Sequence, residues 1–270
     1  MATQSAQGLD VSNYQGKFAW STTTGLSFGI YRLTQGMGEA GTNSPDPDAQ
    51  WNHDQIKAKG LIHGSYHFLD PKLSGSAQAE YFVAQHSLAG LDDSDMLWLD
   101  NETANGVSPA DVSAAALAFM TELDKLRPNN PRGVYTFINF ATGGNCAGLE
   151  KWPLWLAYPA AKAPATPPPW SKWTFWQWGL RNATDADAFN GTAAELNAWV
   201  ASYAKETPKP YEAPANTSIR TLAHQHGRNV EEVVWLTARN RPQGFGPMER
   251  AYITVGNWVA AMPVGMTVSA

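Results

Sequence analysis

Two hydrophobic periodicities alternate along the first 130 residues. Short apolar runs bounded by turn residues predict buried strands at Gln7–Ser12, Ser27–Thr34, Leu61–Phe68 and Met96–Asn101. Between them, apolar residues recur at helical intervals within Pro47–Lys59, within Ala77–Leu88 and from Ser108 onward. The alternation of strand with helix predicts parallel strands joined by helical crossovers, and so an α/β protein.

The helix that begins at Ser108 has the clearest boundary. Ser108 is suited to the N-cap and Pro109 to the first turn. One apolar stripe follows, formed by Val112, Ala116, Phe119, Leu123 and Leu126. The stripe predicts that this helix packs on the sheet through a single face.

The pattern changes after residue 132. Strands predicted at Gly133–Ile138, Leu154–Tyr158 and Trp173–Trp178 follow one another too closely for crossover helices, and the prolines of 163–169 exclude a helix there. Five βα units followed by bare strands predict a TIM-like barrel without its full ring of helices. A final helix is predicted at Thr192–Ala204. In such a barrel the active face lies at the carboxyl ends of the strands.

The last 65 residues have a different character. Residues 206–214 are polar and proline-spaced, which predicts a linker between a barrel domain, 1–205, and a second domain, 215–270. In the second domain the pattern predicts short helices at 218–227 and 230–237 and a strand at Tyr252–Met262.

Composition and charge restrict the possible partners. Residues 1–207 hold 13 Lys and Arg against 20 Asp and Glu, and residues 208–270 hold 6 against 4. This distribution argues against nucleic acid as the main partner.

The single cysteine, Cys146, cannot form an internal disulfide. No signal-peptide pattern and no membrane-spanning run is visible, so we expect no stable membrane association. We also expect a monomer.

The run Met96–Leu99 ends directly in two acids, Asp100 and Glu102. Residues two apart on a strand share a face, with Cα atoms about 6 to 7 Å apart, so the two carboxylates would project side by side. They are either an acid–base pair or the point where a buried strand reaches solvent. Asp10 lies near the end of the first predicted strand, where it is either a strand-end turn residue, the interpretation favoured until a second acid is placed beside it, or a catalytic acid.

Other candidate sites are weaker. Asp185 and Asp187 superficially suggest a calcium loop, but Phe189 occupies a ligand position and Leu196 the place of the terminal Glu. His63 and His67 lack a third metal ligand, so hydrogen-bonding roles are expected. Cys146 is expected to be an inert thiol. We therefore predict no metal and no cofactor.

Aromatic residues are concentrated in or beside the predicted strands, where some must be core. A cleft that combines carboxylates with aromatic faces is typical of carbohydrate binding, because sugar rings pack on aromatic rings while their hydroxyls hydrogen-bond to acids and amides. The aromatic residues in question are Tyr66, Phe68, Trp98, Tyr135, Trp155, Tyr158, Trp176 and Trp178.

Five motifs, in order, resemble those of the family 25 glycoside hydrolases, the Chalaropsis-type lysozymes. They are Gly8–Gly16, Gly64–Phe68, Leu99–Glu102, Trp176–Trp178 and Asp185–Gly191. The resemblance implies a (β/α)5(β)3 barrel that cleaves the β-1,4 bond between N-acetylmuramic acid and N-acetylglucosamine in bacterial peptidoglycan. One departure is that Arg32 and Gln35 stand where the family usually has Lys and Glu.

The resemblance also implies functional residues. It assigns catalytic roles to Asp10, Asp100, Glu102 and Asp185. Substrate contacts are expected from Tyr66, His67, Tyr135, Trp155, Tyr158, Gln177 and Trp178. We predict that Glu102 is the general acid, that Asp100 or Asp185 orients the N-acetyl nucleophile of the substrate in a retaining reaction, and that Asp10 holds the network. The acids alone leave retention or inversion open.

Two wider expectations follow from the same resemblance. The tail resembles a divergent βααβ LysM module, which would bind N-acetylglucosamine polymers, and the alternative is a helical appendage on the barrel. A wall hydrolase made in the host cytoplasm without a signal peptide would act after membrane disruption, as phage endolysins do, and the alternative is secretion. The competing functions are a barrel glycosidase for another polysaccharide and a non-catalytic wall-binding protein.

Overall fold

The computed structural model describes residues 5–39, 41, 44–88, 94–203, 211–212, 250–255 and 258–263. The chain divides into two compact units, 1–205 and 206–270. The first unit contains a closed eight-stranded barrel with strands in sequence order.

The first seven barrel strands are parallel to one another, and the eighth is antiparallel to the two strands beside it, the seventh and the first, which closes the barrel. This architecture confirms the predicted α/β barrel with five helical connections and three final strands without them. The strands are β1 Gln7–Val11, β2 Phe28–Gln35, β3 Ile62–Phe68, β4 Met96–Asp100, β5 Arg132–Phe137, β6 Leu154–Ala157, β7 Phe175–Arg181 and β8 Thr184–Phe189.

The helical segments lie where the apolar spacing predicts them, with two short additions. They are a 3-10 turn at Trp20–Thr22, α1 Ala49–Ala58, α2 Gly75–Leu88, α3 Pro109–Leu126, α4 Ile138–Phe140 followed by a π-helical turn at Ala141–Asn145, and α5 Ala193–Ala201. Ser108 caps α3 by accepting a hydrogen bond from the Asp111 amide, as expected. Thr192 and Glu195 form a reciprocal capping box at the start of α5.

Strand alternation divides the apolar residues between two cores. On β4, Trp98 points into the barrel, whereas Leu97 and Leu99 belong to the layer between barrel and helices. A side chain at Gly133 would collide with the Trp98 ring, so the glycine makes room for the indole. Trp199 of α5 stacks on Trp98, and α5 therefore packs against the interior residues near the amino ends of the strands.

Two sequence predictions about strands are wrong. Residues 184–189 form β8, whereas the sequence pattern predicted no strand there. The single strand predicted at Tyr252–Met262 is instead an antiparallel pair, β10 Arg250–Val255 and β11 Trp258–Pro263. A short strand, β9 Tyr211–Glu212, runs parallel to β11.

The two helices predicted for the LysM-like module, 218–227 and 230–237, lie outside the described residues. Within the described part of the chain, no helix has the length and apolar character to cross a membrane.

Candidate active site

A cavity of about 310 Å³ opens at the carboxyl ends of the parallel strands. This is the face at which barrel enzymes place their catalytic groups. The cavity is lined by Asp10, Val11, Ser12, Tyr14, Gln15, Arg32, Tyr66, Phe68, Asp100, Glu102, Tyr135, Trp155, Gln177 and Asp185. All four acids predicted from the sequence therefore border one cavity.

Strand register brings the acids together. Asp10 of β1 is the direct partner of Asp185 across the antiparallel β1–β8 pair. Asp100, the last residue of β4, lies between Phe68 of β3 and Tyr135 of β5. Glu102 follows β4 rather than belonging to it, so the prediction of two acids side by side on a strand is wrong in that detail. Glu102 reaches the cavity from the loop.

Asp10 is held by a chain of hydrogen bonds across the barrel mouth. Gln177 donates its Nε2 to Asp10 Oδ2 at 2.8 Å, and Tyr135 donates its hydroxyl to Gln177 Oε1 at 3.1 Å. Burial and the nearby charge of Asp185 raise the pKa of Asp10 to about 7, although the bond from Gln177 works in the opposite direction. Asp10 therefore retains its proton to higher pH than an ordinary aspartate.

Asp187 belongs to the acid cluster, although the sequence motifs assign it no catalytic role. It is completely buried, and its Oδ1 accepts a 2.8 Å hydrogen bond from the Trp155 indole. Burial and the neighbouring Asp10 raise the pKa of Asp187 well above its ordinary value. The signal that could have found it is the two-residue spacing from Asp185, which places both on one face of a strand.

Asp100 and Glu102 also have raised pKa values. Burial, followed by the charges of Glu102 and Asp10, raises the pKa of Asp100 well above its ordinary value. Its Oδ1 is buried without a hydrogen bond from any described residue, which also favours the protonated form. Partial burial and the charge of Asp185 raise the pKa of Glu102. All five acids of the cluster, Asp10, Asp100, Glu102, Asp185 and Asp187, thus have pKa values raised above the ordinary range, and burial is the largest cause for each of them.

Arg32 is the cationic side chain of the cavity wall. It lies in the second half of β2, is 5% exposed, and forms a 3.0 Å ion pair with Asp46. Its guanidinium also donates to Asn13 Oδ1 and lies 5.6 Å from the ring centre of exposed Tyr14. The positive charge acts on Asp100 by lowering the pKa that burial raises. From the sequence, Arg32 is distinguished only as a departure from the family pattern.

Four of the seven predicted substrate contacts border the cavity, namely Tyr66, Tyr135, Trp155 and Gln177. The structure places His67, Tyr158 and Trp178 outside its lining. His67 is fully buried, bonds to Thr34 and Gln78, and stacks on Phe119. Burial lowers its pKa to about 4, so it is neutral at pH 7. Trp178 packs against the layer between barrel and helices.

A group of carboxylic acids with differing proton affinities at the carboxyl end of a barrel is the arrangement of an acid–base glycoside hydrolase. Glu102 and Asp185 are partly accessible, whereas Asp10, Asp100 and Asp187 are buried behind them. Among the described residues, the single cluster with metal-ligand spacing lies on the outer wall of the barrel and not in this cavity.

Comparison with known proteins gives the same class. A family model described as glycosyl hydrolases family 25 matches residues 9–187. Lysozyme M1 of Streptomyces globisporus is 30% identical over 221 residues, which cover 72% of this chain and 71% of that protein. An N,O-diacetylmuramidase of Arthroderma benhamiae is 31% identical over 207 residues, which cover 71% of this chain and 85% of that protein.

Solved structures agree. The bacterial lysozyme from Streptomyces coelicolor superposes with a TM-score of 0.63 at 29% identity, covering 75% of this chain and all of that one. A muramidase from Trichobolus zukalii superposes with a TM-score of 0.62 at 25% identity, covering 72% of this chain and 98% of that one. The chain belongs to glycosyl hydrolases family 25.

Proposed function

We propose that this protein is an N-acetylmuramidase that hydrolyses the β-1,4 bond between N-acetylmuramic acid and N-acetylglucosamine in bacterial peptidoglycan, with Glu102 as its general acid. The observation that carries the proposal is the convergence of Glu102, Asp100, Asp10 and Asp185 on one cavity of a family 25 barrel. The lysozyme and muramidase names of the relatives support the substrate class.

Glu102 is suited to protonate the glycosidic oxygen. It is the acid in the loop after β4, it borders the cavity, and its raised pKa keeps it protonated at higher pH than an ordinary glutamate. Asp185 is partly accessible, lines the cavity and is the direct cross-strand partner of Asp10 at the barrel mouth, where it can orient the substrate N-acetyl group. Attack by the acetamide oxygen on the anomeric carbon would form a cyclic intermediate, which water then opens with retained configuration.

The buried acids lie next to Glu102 and Asp185 and influence their charge and position. Asp100 in its neutral form would be an uncharged hydrogen-bond donor beside Glu102. Asp10, which is fixed by Gln177, would change the negative charge near the reaction centre as it gains or loses its proton. Asp187 is held in place by the hydrogen bond from Trp155. It would help to position the neighbouring acids without contacting the substrate.

Peptidoglycan digestion followed by borohydride reduction tests the bond assignment. Cleavage by a muramidase exposes N-acetylmuramic acid at the new reducing ends, so hydrolysates should contain muramitol. Glucosaminitol in its place would show that the enzyme cuts the other glycosidic bond. Digestion of another polysaccharide, with intact peptidoglycan, would identify a barrel glycosidase of different specificity.

The second unit is proposed to be a wall-binding domain of the LysM type, joined to the barrel by the proline-spaced linker. The weakly basic charge of 208–270 is compatible with an anionic wall polymer. We expect a chain ending at residue 205 to cleave short soluble glycan fragments at the full-length rate but to pellet less with intact walls. Equal pelleting of the two chains would assign wall binding to the barrel.

The route to the wall stays a prediction from the sequence. If membrane disruption releases the enzyme, bacteria that produce it should lyse only after their membrane is permeabilised with chloroform. Lysis of producing cells without permeabilisation would instead indicate export.

A further inference from the structure

A second cluster of ionisable side chains lies on the outer wall of the barrel. His53 comes from α1, His63 from β3, and Asp95 from the residue immediately before β4. One ligand atom from each lies within 4.8 Å of those of the other two. From this juxtaposition we infer that His53, His63 and Asp95 bind a divalent transition-metal ion of the zinc class.

The carboxylate of Asp95 is enclosed by imidazoles. His63 Nε2 lies 2.6 Å from Asp95 Oδ1, and His86 Nε2, from α2, lies 3.6 Å from Asp95 Oδ2. The Asp95 side chain is 1% exposed and that of His63 is 11% exposed. The group is therefore shielded from water, and its members come from separate elements that an ion would connect.

His53 supplies an independent indication of a missing ligand. Its Nδ1 is 3.0 Å from Asp54 Oδ1, whereas its Nε2 is buried and has no hydrogen-bond partner among the described residues. A buried ring nitrogen without a partner is unfavourable, and coordination to a metal would satisfy it. The Asp54 contact is the carboxylate–histidine arrangement that fixes the tautomer of metal-binding imidazoles.

The ligand atoms that the three side chains offer determine which type of ion fits. Two imidazole nitrogens and one carboxylate oxygen suit Zn²⁺, at about 2.0 to 2.2 Å from each ligand, and provide too few oxygens for Ca²⁺ or Mg²⁺. Ligand atoms around a tetrahedral ion are roughly 3.3 Å apart, so the three side chains would adjust by about 1.5 Å at most. His86 is placed to become the fourth ligand or to hold the second oxygen of Asp95.

The ion would act on stability rather than on the reaction. Asp95 precedes Asp100 by five residues, which is about 16 Å along an extended chain. His63 is next to inward-facing Gly64 and so projects from the opposite face of β3. An ion at this position would join α1, β3 and the start of β4, far from the acids at the barrel mouth.

Metal titration of the full-length, untagged, chelator-treated protein tests the inference. We expect one equivalent of Co²⁺ to give visible d–d absorption, and Zn²⁺ to displace it. At a free Zn²⁺ concentration one hundred times Kd, the Tm should rise by about 5 °C or more. No saturable 1:1 Co²⁺ band would overturn the proposal and leave a hydrogen-bonded histidine–aspartate cluster.

Three variants identify the ligands. His53→Gln should lose the Co²⁺ band and the Zn²⁺-dependent rise in Tm, whereas His224→Gln/His226→Gln, which removes the tail histidines, should retain both. Asp54→Asn keeps His53 but removes its orienting carboxylate, so it should bind Zn²⁺ about tenfold or more weakly even if His53→Gln fails to fold. Wild-type Zn²⁺ affinity in Asp54→Asn, or an unchanged Tm rise in folded His53→Gln, would contradict the assignment.

Discussion

Glu102 differs from the other acids of the cavity in where the chain places it. It lies in the loop after β4, whereas Asp10, Asp100, Asp185 and Asp187 belong to strands. Side chains on barrel strands are fixed by register, while a loop residue at the rim can approach a bound glycan. This difference in position supports the separation of proton donor from supporting acids.

Replacement of Glu102 by Gln should reduce the rate of wall lysis by at least about 10² to 10⁴-fold, because the amide cannot protonate the leaving oxygen. The fold should be intact, since Glu102 is only partly buried. Turbidity loss of cell-wall suspensions measures the rate, and circular dichroism checks the fold. Glu80→Gln, on the exposed face of α2, is the matched control. Lysis by Glu102→Gln at the control rate would exclude the proposed role.

Asp185 should extend the activity toward alkaline pH. Burial raises the pKa of Glu102, and the charge of Asp185 raises it further. Because the protonated form of Glu102 is the active one, activity declines as pH rises through that pKa. Asp185→Asn removes the charge and should move the alkaline limb of the kcat/KM profile toward lower pH. Rates are normalised to each variant's own maximum, so that the position of the limb is compared independently of the size of the rate. A reduced rate with an unmoved limb would mean that Asp185 acts without influencing Glu102.

At the scale of elements, the alternation of side chains between the two faces of a strand explains which site residues could be predicted from sequence. Tyr66 and His67 are neighbours on β3, so only one of them can face the barrel interior; Tyr66 does, and His67 packs on Phe119 of α3. Gln177 and Trp178 divide in the same way on β7. A family motif does not specify this orientation, which is why adjacent residues were assigned together.

Strand β8 could not be predicted from the hydrophobic pattern of its residues. Its acid–alanine alternation lacks the apolar signal of a strand, because its acids are buried among other polar groups at the barrel mouth. The low strand propensity of aspartate favours a loop at Asp185 and Asp187. These residues nevertheless form a strand, because pairing with β7 and β1 closes the barrel. In contrast, Ser108 and the apolar stripe of α3 specify that helix locally, so its position was predictable.

The capping box of α5 provides a test at this scale. Thr192→Ala removes the acceptor for the Glu195 amide and should destabilise the protein by about 1 kcal/mol. That corresponds to a fall in Tm of roughly 2 to 4 °C for a domain of this size. Because α5 packs on interior residues away from the cavity, kcat should not change. Thr121→Ala, at an exposed position within α3, controls for the loss of a hydroxyl, and an equal fall in Tm there would dismiss the cap as the cause.

At the scale of the whole molecule, the buried acids make stability depend on pH. The pKa of Asp10 rises from 3.8 to about 7 in the folded state, so between these values the folded chain binds more protons than the unfolded chain. The contribution is therefore fully present below pH 4 and declines as pH rises through 7. Asp100 and Asp187 act in the same direction.

Asp10→Asn should reduce this dependence. Wild-type Tm should fall between pH 5 and pH 8, and the variant, which has one buried charge fewer to ionise, should fall by less. Thermal unfolding at fixed ionic strength measures both, and Glu80→Gln, whose side chain is exposed, should follow the wild type. Parallel curves for wild type and Asp10→Asn would show that Asp10 does not contribute to the pH dependence.

The hydrogen bond from Trp155 to Asp187 has a practical consequence. An indole that donates to an ionisable carboxyl changes its fluorescence when the carboxyl loses its proton, so the enzyme contains an optical sensor inside its own acid cluster. Subtracting the spectrum of a Trp155→Phe variant isolates that signal from the other eleven tryptophans. The protonation of the site can thus be followed in the resting enzyme, independently of turnover and without an added dye.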